Sequence, residues 1–354
     1  MKITSEAELS EAIRASTGAR IVGGGTRSIG AVQGEALDIS GLSGVRLYEP
    51  GALTLVAQAG TPLAAIEALL ANERQRLAFD PPDHRALLGR QGASTLGGIA
   101  AANASGSRRV QVGACRDALL GLRFVDGMGA VLKNGGRVMK NVTGYDLVKL
   151  LAGSHGTLGV ITEVAFKVQA MPEAELTLMA KRSLAQGLQD LRTALGSPYD
   201  ISGAAWQNGQ AMIRIEGMAG SVAYRAAQLR ALLGDWVEAP ADWTAIRDVR
   251  GFADKTGAVW RLALKPTAAA EIVGALGLEA ICDWGGGLVW LLDPSGVADV
   301  RTAVHGQGTA TLVRALATQN LPTFPPETVG VAKLTQALRA KFDPRGIFNQ
   351  GMMG

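Results

Sequence analysis

Two glycine-rich stretches are the parts of this sequence best suited to bind a ligand through the main chain. Residues 23–30 read Gly-Gly-Gly-Thr-Arg-Ser-Ile-Gly, and residues 94–106 read Ser-Thr-Leu-Gly-Gly-Ile-Ala-Ala-Ala-Asn-Ala-Ser-Gly. Consecutive glycines leave their N–H groups unobstructed, and such groups form a nest suited to phosphate oxygens. The second stretch has few large side chains, so either another part of the protein or a flat ligand must lie against its backbone.

The first stretch does not match the two commonest phosphate-binding templates. A Walker loop needs Gly-Lys followed by Ser or Thr, and the residue here is Arg27. The dinucleotide fingerprint needs a third glycine where Ser28 stands. Taken alone, the stretch is explained equally well as a plain glycine turn.

Two further segments strengthen the case for a bound ligand. Phe-Asp-Pro-Pro-Asp-His-Arg at residues 79–85 precedes the second stretch, and a loop in residues 140–163 carries Gly153, Gly156 and Gly159 just before a predicted strand. Each glycine raises the entropy of the unfolded chain, so small-residue loops at three places in one domain are costly without a function.

These loops join strands and helices that alternate along the first part of the chain. Ser5 and Glu8 form a capping box that predicts a helix through about Arg14. Thr61-Pro62 predicts the start of a second helix, with the proline in its first position. Strand patterns surround both helices, which is typical of an α/β or α+β plan.

The order of predicted elements changes after Met171-Pro172, where we place a domain boundary. Residues 173–320 predict two βαββα-like units joined by a linker at about 235–258, which favours an antiparallel sheet with helices on one face. The tail predicts a helix with Leu334, Leu338 and Phe342 aligned. We therefore predict an α+β fold with a ligand-binding domain at residues 1–170, completed by residues 325–354, and a cap domain at residues 171–324.

Composition excludes several classes of protein. The 354 residues are enough for two domains, and 35 Lys and Arg against 31 Asp and Glu are scattered along the chain, which argues against nucleic-acid binding. Cys115 and Cys282 are too few and too distant for a disulfide framework or an iron–sulfur cluster, so we predict no metal site. Charges interrupt the most apolar stretch, so it does not predict a membrane span. The start lacks an export pattern. We therefore expect a cytoplasmic protein that reaches a membrane only through partners.

Several motifs together resemble a known family. Gly-Gly-Gly-Thr, Pro-Pro, Ser-Thr-Leu-Gly-Gly with Asn-Ala-Ser-Gly, Gly-Tyr-Asp-Leu with Gly-Thr-Leu-Gly-Val-Ile-Thr-Glu, and Phe-Asp-Pro-Arg-Gly-Ile-Phe-Asn occur in that order. The chain thereby resembles the vanillyl-alcohol-oxidase type of flavoprotein, whose FAD-binding domain is of the PCMH type. Within that family it is similar to FAD-binding subunits of bacterial glycolate oxidases.

The resemblance implies a set of residues that contact FAD. The first loop is expected to wrap the diphosphate, the second stretch to run beside the diphosphate and the flavin ring, and the third loop to meet the cofactor through its main chain. The implied residues are Gly23, Gly24, Gly25, Thr26, Arg27, Ser28, Pro81, Gly92, Ser94, Thr95, Gly98, Ala102, Asn103, Gly106, Gly156, Gly159 and Ile161. Some relatives attach the flavin through a histidine in the first loop, and residues 23–30 contain none, so we expect non-covalent FAD.

Catalytic residues are not evident from the sequence. His84 is expected in a surface turn, His155 to be incidental, and His305, in His-Gly-Gln-Gly, to lack the acidic residue that related dehydrogenases use for substrate. Arg214 and Arg261 both alternate with apolar residues on predicted cap strands, and a guanidinium pair is suited to bind a substrate carboxylate.

The resemblance implies oxidation of glycolate and related small 2-hydroxy acids to 2-oxo acids. The implied partners are a second FAD-binding glycolate oxidase subunit and an iron–sulfur subunit that takes up the electrons. Two alternatives stay open: a self-sufficient FAD-dependent D-2-hydroxy-acid (D-lactate) dehydrogenase, and a flavin-less scaffold subunit.

Overall fold

The computed structural model describes residues 1–137 and 144–353, and its helices begin where the sequence supplies caps. The hydroxyl of Ser5 accepts a hydrogen bond of 3.2 Å from the Glu8 N–H group at the start of the first helix, as its capping pattern predicts. The second helix begins at Leu63, because Pro62 is the cap and not the first helical residue. The helices are α1 (Glu6–Ala15), α2 (Leu63–Asn72), α3 (Arg85–Leu88), α4 (Leu96–Ala101), α5 (Arg109–Val112), α6 (Cys115–Ala118), α7 (Leu147–Leu151), α8 (Leu184–Leu195), α9 (Ala219–Leu233), α10 (Trp243–Arg247), α11 (Ala269–Leu276), α12 (Val300–Val304) and α13 (Val329–Phe342).

The strands group into antiparallel sheets, apart from one parallel pair. They are β1 (Ala19–Val22), β2 (Glu35–Asp38), β3 (Val45–Glu49), β4 (Thr54–Gln58), β5 (Gln75–Arg76), β6 (Leu119–Val125), β7 (Val131–Gly135), β8 (Val160–Lys167), β9 (Gln169–Ala170), β10 (Ala174–Lys181), β11 (Gly203–Gln207), β12 (Gln210–Gly217), β13 (Val237–Glu238), β14 (Ala258–Leu264), β15 (Glu279–Asp283), β16 (Leu288–Asp293) and β17 (Gly308–Arg314). The predicted α+β class is confirmed. The first residues of the predicted third loop, 140–143, lie outside the described residues.

The first part of the chain is built around a sheet with the strand order β3-β4-β8-β6-β7 among the described residues. Its hydrophobic core includes Phe124 and Phe166 from the sheet and also Ile347 and Phe348 from the tail. Strand β1 pairs in parallel with β2, and Ala19 also pairs with Phe348. The end of the chain therefore completes the core that its beginning forms.

The second part of the chain forms a larger sheet with the order β13-β10-β12-β11-β15-β16-β14-β17 among the described residues. Side chains alternate between its two faces, as strand geometry requires. One face packs on α8, α9, α11 and α12, whereas the other carries Trp290 and packs on Leu87 of α3 and on α10. The segment predicted as a linker at 235–258 contains β13 and α10, because Trp243 and Ile246 are buried against that second face.

The tail helix differs from its prediction. Leu334 and Leu338 are 67% and 38% exposed, and no residue of α13 is buried, although Phe342 packs on the first core. The helical spacing of Leu334, Leu338 and Phe342 was predicted, but the side chains of Leu334 and Leu338 face solvent instead of the core. No helix among the residues that the structure describes is long and apolar enough to cross a membrane.

A buried cluster of charges joins the cap sheet to the first part of the chain. The carboxylate of Glu216 on β12 lies 2.5 Å from Arg76, 3.0 Å from Arg108 and 3.7 Å from Arg214. Burial alone would raise the pKa of Glu216, but the three guanidiniums outweigh it and hold that pKa below its usual range. Arg76 and Arg108 precede the cap in sequence, so Glu216 fixes the cap against them.

We expect Glu216→Gln to lower the apparent free energy of unfolding by about 3–5 kcal/mol, because it removes the carboxylate that Arg76, Arg108 and Arg214 share. Glu279→Gln is the matched control, since Glu279 pairs with Lys255 at the surface and such a pair is worth less than about 1 kcal/mol. Urea unfolding of both variants measures the difference. Equal effects of the two substitutions would contradict the structural role of the cluster.

Candidate functional site

The two glycine-rich stretches of the first part lie directly against each other. A Cβ atom built on Gly24 would lie 1.5 Å from the carbonyl oxygen of Ala93, and one built on Gly92 would lie 2.4 Å from the carbonyl oxygen of Gly24. No side chain fits at either position. These glycines are therefore required by contact between two pieces of main chain.

Other glycines of the same stretches face open space. A Cβ on Gly25 would meet no atom within 4 Å, and one on Gly98 would meet only the Thr95 hydroxyl, at 3.2 Å. Both residues line a cavity of about 440 Å³ whose wall is formed mainly by residues 20–32. The bare backbone thus serves two purposes, which are close packing on one side and a cavity on the other.

The loop after β1 presents unused hydrogen-bond donors. The N–H groups of Gly24, Gly25, Thr26 and Arg27 donate no hydrogen bond to any residue that the structure describes. Arg27 donates to the Pro82 carbonyl and to the hydroxyl of Ser94. Burial lowers the pKa of Arg27 to about 10, which leaves its guanidinium charged at neutral pH. These N–H groups and this cation suit phosphate oxygens, so the residues present fit the diphosphate of a dinucleotide.

A second cavity of about 360 Å³ lies between the first part of the chain and the cap sheet. It shares Arg27, Ile29, Ala102 and His155 with the first cavity, so the two are neighbours along one wall. Trp284 and Trp290 supply apolar surface from the cap. The pair of cavities offers a polar end at the glycine loop and an end with more apolar surface under the cap.

Most residues implied by the family resemblance border these two cavities. The first is lined by Gly23, Gly24, Gly25, Thr26, Arg27, Ser28, Thr95, Gly98 and Ala102. The second is lined by Arg27, Ala102, Asn103, Gly106 and the proposed substrate residue Arg261. Pro81, Gly92, Ser94, Gly156, Gly159, Ile161 and Arg214 line neither cavity.

Several residues of that last group support the cavity walls from behind. The hydroxyl of Ser94 lies 3.1 Å from that of Thr26. A Cβ on Gly159 would lie 2.8 Å from the Phe124 ring, and Ile161 is 4% exposed in β8. Gly159 and Ile161 are therefore packed into the core of the first sheet, and their expected main-chain contact with the cofactor stays a prediction.

Arg214 does not reach the cavities, which corrects its predicted pairing with Arg261. Its guanidinium donates to the Ser202 hydroxyl at 3.2 Å and belongs to the Glu216 cluster. It also lies 4.8 Å from the ring centroid of Trp243. Arg214 is thus occupied by structural contacts and is not available to a substrate.

Arg261 is placed as a free cation in the wall of the second cavity. Its side chain makes no ion pair or hydrogen bond with any residue that the structure describes. Its guanidinium carbon lies 5.7 Å from the ring centroid of Trp284, and that of Arg109 lies 4.9 Å from the same ring. Burial, aided by the charge of Arg109, lowers the pKa of Arg261 to about 10, so it remains protonated at neutral pH.

Two histidines line the second cavity, contrary to the surface turn predicted for His84. The His84 ring lies 5.2 Å from that of Trp290 in an edge-on contact, and His155 lies 5.4 Å from Phe324. Burial, followed by nearby guanidiniums, lowers the pKa of His84 to about 3 and that of His155 to about 4. Both imidazoles are therefore neutral. His305 is exposed at the end of α12.

Sequence reasoning missed two residues of the site. Asn349 accepts a hydrogen bond of 2.7 Å from the Ile21 N–H group and donates one of 2.6 Å to the His155 carbonyl, so the tail ties β1 to the third loop. Trp284 has a positive φ of 55°. The sequence contains a signal for this conformation, since a tryptophan followed by three glycines predicts an unusual turn. Nothing in the sequence indicates what the turn contacts.

Fold and site together define an FAD-binding flavoprotein of the PCMH type. The sequence model of the family described as "FAD binding domain" matches residues 1–135. The glycolate oxidase subunit GlcE of Escherichia coli is 36% identical over 325 residues, covering 91% of this chain and 88% of that subunit. The chain belongs to the family of that subunit, and it is an FAD-binding oxidoreductase.

Shorter matches agree with that assignment. The glycolate oxidase subunit GlcD of Bacillus subtilis is 38% identical over 128 residues, which cover 36% of this chain and 26% of that subunit. A mitochondrial D-lactate dehydrogenase (cytochrome) of Arabidopsis thaliana is 42% identical over 80 residues, covering 23% of this chain and 14% of the enzyme. A structure of alkyldihydroxyacetonephosphate synthase, 17% identical, has a TM-score of 0.69 and covers 99% of this chain and 75% of that one. The last comparison shows a shared fold.

We expect Gly98→Val to weaken FAD binding roughly 5–150-fold, because a branched side chain at this open position fills space in the cavity at about 1–3 kcal/mol. Gly274→Val is the matched control: Gly274 is also helical, and a Cβ there would meet no atom within 4 Å. Flavin absorbance after desalting and a titration of the apoprotein with FAD measure the effect. Equal flavin content in the two variants would remove Gly98 from the cofactor site.

Proposed function

We propose that this chain is the FAD-binding subunit of a glycolate oxidase complex that oxidises glycolate and related 2-hydroxy acids to 2-oxo acids. The observation that carries the proposal is Arg261, a cation without an acidic partner among the described residues, in a cavity that adjoins the glycine loop. A buried guanidinium of this kind is suited to a carboxylate, which every 2-hydroxy acid has. The names of the relatives, which include glycolate oxidase subunits and a D-lactate dehydrogenase, point to the same substrate class.

The cofactor site is assigned to the first cavity. Residues 23–28 would hold the diphosphate through their free N–H groups and Arg27, and Thr95, Gly98 and Ala102 would line the path toward the second cavity. No histidine lies in the first loop, so the cofactor is held without a covalent bond there. When bound, FAD supplies the two-electron acceptor that the side chains of the protein lack.

The residues of the second cavity have separate roles in the proposed reaction. Arg261 binds the carboxylate and fixes the orientation of the carbon that bears the hydroxyl group. His84 Nε2 has no hydrogen-bond partner among the described residues, and its ring is part of the same wall. An anion on Arg261 offsets one of the charges that lower the His84 pKa, so substrate binding raises that pKa. Trp284 and Trp290 supply apolar surface beside the bound substrate.

The proposed partners are a second FAD-binding subunit and an iron–sulfur subunit. Electrons must leave this chain, and its two cysteines, both buried, are too few for a cluster. The exposed stripe on α13, formed by Val331, Leu334 and Leu338, supports a protein interface there. Helix α13 carries three basic residues and no acidic one, so the surface that covers it is expected to combine apolar and acidic side chains.

A self-sufficient dehydrogenase is the second candidate, and the complete cavity under the cap favours it. One measurement tests the substrate site that both candidates require, which is anaerobic bleaching of the flavin in the isolated chain on addition of glycolate or D-lactate. Bleaching by the isolated chain supports its own substrate site, and electron transfer onward then distinguishes a subunit from an independent enzyme.

We expect Arg261→Gln to raise the KM for glycolate or D-lactate roughly 10–100-fold, because one charge-assisted carboxylate contact is worth about 1.5–3 kcal/mol. Flavin content and its absorbance spectrum should stay unchanged. Arg214→Gln serves as the comparison, since Arg214 lies outside both cavities, and it is expected to lower stability and leave KM intact. A normal KM in Arg261→Gln would refute the carboxylate site.

We expect Leu334→Lys to reduce co-purification of the chain with its partner subunits by at least about tenfold, since a charge placed in an apolar contact is poorly tolerated. Leu232→Lys on α9 is the control, because Leu232 is also about half exposed, at 49%, but belongs to the cap. Subunit ratios after affinity purification measure the loss. Equal recovery of partners with both variants would place the interface elsewhere.

A further inference from the structure

The second cavity holds more unpaired positive charge than one carboxylate balances. Arg109 of α5 lines it together with Arg261. Among the described residues, Arg109 has no ion pair, and its side chain makes one hydrogen bond, a long one of 3.5 Å to the Ser105 hydroxyl. Burial lowers the pKa of Arg109 but leaves it protonated at neutral pH. The cavity wall therefore carries two cations that lack acidic partners.

Trp284 holds these two cations near each other. Their guanidinium carbons lie 4.9 Å and 5.7 Å from its ring centroid, so the distance between them cannot exceed the sum of those two values. The ring is fixed by a hydrogen bond of 3.0 Å from Nε1 to the Gly106 carbonyl. A positive φ of 55° at Trp284 is a strained backbone conformation of the kind that persists where a side chain must keep a particular position.

The remaining charged groups of the wall do not neutralise the pair. Arg247 is paired with Asp80 at 2.9 Å and Asp248 at 2.8 Å. Asp283 is the acidic residue of this wall, and its carboxylate accepts a hydrogen bond of 2.6 Å from Ser107. Burial raises the pKa of Asp283 to about 6, which leaves it mostly ionised at neutral pH, but it forms no ion pair with Arg109 or Arg261. Arg27 adds a further positive charge at the boundary with the first cavity.

We propose that Arg109 is a second anion-binding residue and that the cavity accepts small dicarboxylates, with one carboxylate on Arg261 and the other on Arg109. The substrate class is then the small 2-hydroxy diacids, in addition to monocarboxylic 2-hydroxy acids. The inference rests on the proposed function because it takes Arg261 as the carboxylate site. Arg109 precedes the cap in sequence, whereas Arg261 lies on β14, so a diacid bridges the two parts of the chain.

The test compares two unreactive probes on the FAD-loaded protein. Malonate and propionate differ by the replacement of one carboxylate by a methyl group. Dissociation constants come from titration calorimetry and from the change in flavin absorbance. Arg109→Gln is compared with Arg116→Gln, which removes the same charge from an exposed neighbour that does not line the cavity.

We expect Arg109→Gln to weaken malonate binding roughly 10–100-fold and to change propionate binding less than about threefold, since only the diacid loses a charge-assisted contact. Arg261→Gln should weaken both ligands, and Arg116→Gln neither. The inference would be overturned if Arg109→Gln weakened the binding of both ligands equally, or if Arg116→Gln weakened malonate binding as much. Either result would indicate a general electrostatic effect instead of a direct contact between Arg109 and a carboxylate. Reduction of the flavin by 2-hydroxy acids is measured separately. If glycolate reduces the flavin but Arg109→Gln does not distinguish malonate from propionate, this inference alone is refuted. If Arg109→Gln distinguishes the two ligands but no 2-hydroxy acid reduces the flavin, the proposed function is refuted.

Discussion

The site depends on a main-chain contact that only glycine permits. The loop after β1 and the stretch before α4 approach so closely that a Cβ on Gly24 would lie 1.5 Å from the Ala93 carbonyl oxygen. That contact turns two separate loops into one continuous wall. Because the contact uses carbonyl oxygens, the N–H groups of residues 24–27 remain directed elsewhere and stay free for a ligand. A substituted glycine here would separate the loops and lose the arrangement of donors.

The cap is attached to that wall by charge, and its orientation follows from the attachment. Glu216 lies among guanidiniums from both parts of the chain, and Trp284 donates a hydrogen bond to the Gly106 carbonyl. These contacts direct the second face of the cap sheet toward the glycine-rich stretch. As a result, Arg261 on β14 lies opposite the residues that border the first cavity. The cluster therefore stabilises the interface at which the second cavity lies, while Arg261 in the wall of that cavity takes no part in the cluster.

Local pattern predicted much of this arrangement, and long-range contact decided the rest. Caps, turns and alternation predicted the first helix, the α+β class and most strands. Arg214 and Arg261 looked equivalent because both alternate with apolar neighbours, yet Arg214 has Glu216 two residues away on the same strand face, whereas Ala263 follows Arg261 at that position. His84 was assigned to a surface turn because it follows the double proline. It is covered by Trp290, which lies more than two hundred residues later. The apolar period of α13 predicted a helix but could not say whether the protein itself covers the stripe.

The unpaired arginines of the second cavity are the clearest departure from rules that favour stability. Two like charges held against one tryptophan, at a site partly removed from water, repel each other and lose hydration. A protein selected for stability alone would place an acidic residue between them, just as Glu216 lies among Arg76, Arg108 and Arg214. No acidic residue in the described part of the chain pairs with either cation, so under the proposal above an anionic ligand would relieve their repulsion. Because each additional ligand charge relieves part of the same repulsion, the cavity should discriminate among carboxylic acids by charge before it discriminates by shape.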